Sequence, residues 1–173
     1  TSGEFRVYAK WTGETHTITY KINNQQNDAP EPYTQEMQFG TLQKLTSVRF
    51  DYFGHDFISW SSKADGSGTL YPDQADFEIG TKNINLYAKW ERIEYTITYD
   101  TDGGILSSTS KTAFHASASM NVDLGKATKA GYTFRCWHDE NGIEVSKINK
   151  EYLLSEQNKE KRTFHFTAVW EKK

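Results

Sequence analysis

"LYAKWERIEYTITYD", residues 86–100, has a near copy in "VYAKWTGETHTITYK", residues 7–21. The duplication extends outward from this stretch in both directions. Trp11, Trp90 and Trp170 end the similar stretches "VYAKW", "LYAKW" and "FTAVW", at spacings of 79 and then 80 positions. A further pair of anchors lies between them: Gly54-x-x-Phe57-x-x-Trp60 returns 77 residues later as Gly131-x-x-Phe134-x-x-Trp137. Several anchors in one order at one period mark an internal repeat, in which each copy is one folding unit. The spacing assigns residues 14–91 to a first module and 92–173 to a second. Residues 1–13 are then the last strand of a preceding repeat or a cloning remnant.

Strand signals dominate each module. In "HTITYKI", Ile18, Tyr20 and Ile22 share one face while Thr17, Thr19 and Lys21 share the other, a period of two built from β-branched and aromatic residues. Ile97 and Tyr99 repeat the pattern. Leu86, Ala88 and Trp90 alternate with Tyr87 and Lys89, and Phe164, Phe166, Ala168 and Trp170 alternate with His165 and Thr167. The middle strands, "HDFISW" and "YTFRCW", carry an odd spacing before Trp60 and Trp137 that suggests a bulge. They lead into Asp65-Gly66 and Asn141-Gly142, which supply the positive φ of hairpin turns. Gly54 and Gly131, each just before a strand, read as left-handed turn positions. The stretch 33–47 is expected to give a short strand and then a helical turn near Leu42 to Leu45. Each module therefore reads as a four- or five-stranded sheet with at most a short helix.

Composition excludes several classes of function. Of the 173 residues, 36% are hydrophobic and 14% aromatic, enough to close packed cores. Net charge is −3, and the densest cationic stretch, Lys159–Arg162, is broken by Glu160, so no nucleic-acid partner is expected. No run of eighteen apolar residues exists for membrane insertion. The single Cys136 cannot form an internal disulfide and reads as a small buried filler beside Trp137, at the place of Ser59. His16, His55, His115, His138 and His165 show no metal-ligand spacing and read as solvated polar residues, with His165 facing solvent. "SSKADGSGTLYPD", residues 61–73, lacks the carboxylates of a calcium loop and reads as a hairpin connection. No nucleophile elbow, opposed acid pair or phosphate loop is present, so no catalytic residue, metal or cofactor is expected.

The pattern Tyr95–Gly104, Gly131–Trp137 and Leu86–Trp90 resembles the Listeria–Bacteroides repeat, also called the internalin B-type repeat. The resemblance covers nearly the whole chain. It implies a β-rich α+β architecture of two tandem, head-to-tail, small β-grasp (ubiquitin-like) modules on a secreted or surface-anchored bacterial protein. The first module departs from the pattern: it has Asn23-Asn24-Gln25 where the second has Asp102-Gly103-Gly104, and Asp56 where a Tyr is usual.

Two functions follow as expectations. In the first, the repeats are non-catalytic spacers that display other domains. In the second, they bind a host protein, a cell-wall polymer or a glycan, with Tyr33, Tyr52, Tyr71 and Tyr87 as candidate contacts. The recurring Trp11, Tyr20, Gly54, Phe57, Trp60, Trp90, Tyr99, Gly131, Phe134, Trp137 and Trp170 read as structural anchors, since losing one buried Trp from a module this small would remove about 3–5 kcal/mol. The expected partners are neighbouring repeats of the same chain. The chain is expected to be monomeric, with pairing through the orphan strand at residues 5–11 as the alternative.

Overall fold

A computed structural model describes residues 13–24 and 29–173. The expected strand ending at Trp11 lies outside these residues. Two compact units are present: one formed by the described residues up to Tyr52 together with Phe57–Trp90, the other by Phe53–Asp56 together with Glu91–Lys173.

The first unit contains β1 (Thr15–Lys21), β2 (Tyr33–Gln38), β3 (Leu42–Lys44), β4 (His55–Ser61), β5 (Leu70–Tyr71), β6 (Asp76–Glu78) and β7 (Ile84–Arg92). Five of these form one mixed sheet in the order β2-β1-β7-β4-β5. The first and last strands, β1 and β7, lie side by side in parallel, with Ile18 opposite Ile84 and Tyr20 opposite Leu86. Parallel neighbours cannot be joined by a tight turn, so everything between them is one long crossover. Alternation places Ile18, Tyr20, Ile22, Leu86 and Ala88 in the buried set, as the period of two requires. The core closes around Trp60, fully buried, with Met37, Leu45 and Ile79.

The helical turn expected near Leu42–Leu45 is not formed. Leu42–Lys44 is the strand β3, antiparallel to β6, with Gln43 opposite Phe77. One isolated helical turn would fix several dihedrals for a single hydrogen bond. The ladder instead pairs the backbone and brings Leu45 and Phe77 onto the core, with the Leu45 amide donating to the Ala75 carbonyl.

The second unit repeats the plan. It contains β8 (Glu94–Asp100), β9 (Ile105–Leu106), β10 (Ala113–His115), β11 (Asn121–Asp123), β12 (Ala127–Thr128), β13 (Tyr132–His138), β14 (Glu144–Val145), β15 (Lys147–Asn149), α1 (Lys150–Leu154) and β16 (Thr163–Lys172). Its sheet order is β10-β8-β16-β13-β14, again with a central parallel pair, Ile97 opposite Phe164 and Tyr99 opposite Phe166. The ladder β11–β15 matches β3–β6 and delivers Val122 and Ile148 to the core. The helix α1 lies after β15, where the Asn149 side chain accepts from the Tyr152 amide as an N-cap and Leu153 is buried. The expected bulge is present in β13, where the register shifts between Phe134 and Cys136.

The turn after the first strand of each unit shows how the sequences diverge without changing the backbone. Asn23 (φ 55°) and Asp102 (φ 45°) occupy equivalent left-handed positions, one 79 residues after the other. Asn and Asp tolerate this region better than other non-glycine residues, so the first unit keeps the turn without the double glycine. The Asn23 amide also donates to the carbonyls of Ala64 and Ala88.

Candidate functional site

The recurring residues form two equivalent constellations. Trp90 donates its indole N–H to the Ile22 carbonyl at 2.6 Å, and Trp170 donates to the Thr101 carbonyl at 3.1 Å. These carbonyls stand one residue before Asn23 and Asp102, so each closing Trp fastens the left-handed turn of its own unit. Phe57 meets Trp60 and Trp90 at 5.0 and 5.6 Å between centroids, and Phe134 meets Trp137 and Trp170 at 5.1 and 5.6 Å. Such tilted and edge-on contacts suit the ring quadrupoles. Tyr20 packs against Trp60 at 4.7 Å and Tyr99 against Trp137 at 4.9 Å. Gly54 and Gly131 have φ of 74° and 78°. In the second unit, a Cβ at Gly54 would stand 2.8 Å from the Ala116 Cβ, whereas one at Gly131 would meet open space.

The middle tryptophans differ in one respect. Trp137 donates to the Gly125 carbonyl at 3.0 Å. The Trp60 indole N–H is buried and has no hydrogen-bond partner among the described residues.

The four candidate tyrosines do not converge. Tyr33 stacks on Tyr20 at 4.7 Å, donates its hydroxyl to the Ser47 carbonyl and lies under the Arg49 guanidinium; burial pushes its phenol up to about 12. Tyr71 packs edge-on against Phe77 at 5.1 Å, and Tyr52 sits edge-on to Trp90 at 5.7 Å. Tyr87 lies on the opposite side of β7 from Leu86 and Ala88, with the Lys21 ammonium 5.5 Å from its ring.

The histidines are less uniformly solvated than expected. His16 is 9% exposed, edge-on to Phe39, with Nε2 3.5 Å from the Glu14 carboxylate but without hydrogen-bond geometry. Its burial follows from its position, which in the second unit belongs to the buried Tyr95. His55 and His138 are half-buried, while His115 and His165 are exposed. His165 faces solvent as predicted, with Nδ1 2.9 Å from the Thr98 hydroxyl oxygen. In the 61–73 stretch, the Asp65 carboxylate accepts from the amide and hydroxyl of Ser67. These bonds hold its pKa below the usual carboxylate value, and the stretch joins β4 to β5.

Cys136 is half-buried rather than a sealed filler, because the bulge in β13 turns it toward a cleft. Burial raises its thiol pKa, aided by the Glu144 carboxylate. The cleft holds about 640 Å³ between β13, β14 and the segment 107–126. No sequence signal marked it, since its lining residues are scattered over four separate stretches.

The sequence pattern of the Listeria-Bacteroides repeat domain matches residues 16–89 and again 95–157. The chain belongs to this family. The Listeria-Bacteroides repeats here are similar, at 26% identity over 157 residues, to a protein of Evansella cellulosilytica described as a Gly-rich membrane protein; the match covers 86% of this chain and 18% of that one. A second protein of the same organism, described as a membrane protein, matches with the same identity and covers 22% of its own length. The chain thus spans about a fifth of these curated relatives. No solved structure matches it significantly. Among the described residues, no helix is long and apolar enough to cross a membrane.

Proposed function

We propose that these two Listeria-Bacteroides repeats are a non-catalytic stalk segment of a secreted or surface-anchored bacterial protein, holding other domains away from the surface. The observation that carries this reading is the use of the recurring residues. Each closing Trp, middle Trp, Phe and first-strand Tyr is engaged in closing its own unit's core, and the same contacts recur in both units. Selection for a repeated ligand site would favour repeated exposed side chains instead. Support for the surface location comes from relatives described as membrane proteins. Each module is read as a β-grasp, supported by a five-stranded mixed sheet whose first and last strands are the central parallel pair.

Stacked repeat units lengthen an array unit by unit. Small-angle scattering of chains with two and four such repeats tests the stalk. The expected result is a gain in maximum dimension of about 30–40 Å per added repeat, roughly a strand of ten residues with its turns. A four-repeat chain no longer than a compact globule overturns it.

A further inference from the structure

We propose that the cleft of the second repeat is a binding site for a neutral, polyhydroxylated ligand of one or two sugar rings. This goes beyond the stalk reading and does not depend on it.

The cleft is not a requirement of the fold. Val145 of β14 lies opposite Trp137, and Tyr71 of β5 lies opposite Trp60. At the same register position the first unit therefore places a ring, which packs on Phe77, and the second places only a branched aliphatic side chain. A close-packed protein normally fills such space. Here the opening is kept, at a size within the range of small-molecule sites.

Its chemistry selects the ligand class. Lys126 and Arg135 supply cationic donors, and Asp123 and Glu144 supply carboxylate acceptors. Two charges of each sign leave no net preference for an ionic ligand. Part of this equipment is already engaged: the Asp123 carboxylate accepts from the Gly125 amide at 2.7 Å, and Arg135 bonds Glu171 at 3.1 Å. Among the described residues, the Glu144 and Lys126 side chains have no such partners. Ser107 and Thr109 share a hydroxyl–hydroxyl bond of 2.8 Å at the wall. An apolar ligand would strip water from these groups without replacing its hydrogen bonds. A sugar hydroxyl both donates and accepts, so one ring can satisfy Glu144 and Lys126 together. The apolar parts of Phe134, Cys136 and Val145 suit the C–H faces of such a ring.

The lone thiol of the chain lines the cleft, so it reports occupancy directly. The whole chain is labelled with a maleimide at mildly alkaline pH, in the presence of glucose, galactose, mannose, N-acetylglucosamine or their disaccharides. Glucuronate and a neutral hexapeptide serve as controls. With sugar at about twice its dissociation constant, labelling slows about threefold by mass action. Amide resonances of Gly125, Glu144 and Ser146 shift with the same concentration dependence. Val145→Tyr, which copies the first unit, abolishes both effects. Glu144→Gln weakens binding at least severalfold and guards against a misfolded tyrosine variant. No protection by any of the sugars, protection that survives both substitutions, or protection by glucuronate or peptide alone overturns the proposal.

Discussion

Replacing each middle tryptophan by phenylalanine should have unequal consequences, although both are almost fully buried. Trp60→Phe and Trp137→Phe remove the same atoms and leave similar voids, a cost of about 2 kcal/mol at either site. At Trp137 the change also breaks the bond to the Gly125 carbonyl, adding about 1 kcal/mol. At Trp60 it removes a buried N–H that has no partner among the described residues, which recovers about 1.5 kcal/mol of desolvation cost. The expected totals are about 3 kcal/mol for Trp137→Phe and about 0.5 kcal/mol for Trp60→Phe, a gap of roughly 70-fold in the opening constant. Native-state hydrogen exchange measures each core separately, through the amides of Tyr20 and Leu86 in the first unit and of Ile97 and Phe166 in the second. Equal losses in the two units, or a larger loss at Trp60, would refute the reasoning and mean that the Trp60 indole is hydrogen-bonded in solution.

The two repeated turn glycines should also separate. Gly131→Ala meets open space and is expected to cost about 1–2 kcal/mol for its left-handed φ, while Gly54→Ala adds a collision with Ala116 and should cost measurably more in thermal melts. Asn149→Ala removes the cap of α1 and should cost about 1 kcal/mol, read as faster exchange at Tyr152 and Leu153. The phenols of Tyr33 and Tyr99 are pushed up to about 12 by burial, so the folded chain holds those protons after the unfolded chain has released them. Their contribution is complete below pH 10 and is lost as pH rises through 10 toward 12; denaturant midpoints should fall across that window, and less steeply in Tyr99→Phe.

Much of the fold was legible because it rests on short-range periodicity. The inward sets Ile18–Tyr20–Ile22, Leu86–Ala88 and Phe164–Phe166–Ala168, the left-handed Gly54 and Gly131, and the bulge before Trp137 all follow from alternation and turn chemistry. The duplication added the module count, since each copy must close its own core. Comparison of copies would also have placed His16 indoors, opposite its counterpart Tyr95.

The remaining features belong to the tertiary structure. Leu42–Lys44 chose a strand over a helical turn because its partner, Asp76–Glu78, lies more than thirty residues away, beyond any local pattern. Tyr33 and Tyr71 are candidate ligand contacts by sequence, yet Tyr20 and Phe77 draw them onto the core. The cleft around Cys136 is walled by four stretches far apart in the sequence, so only the folded chain assembles it. Periodicity fixes which way a side chain points; only the packed neighbours decide whether the space in front of it is filled.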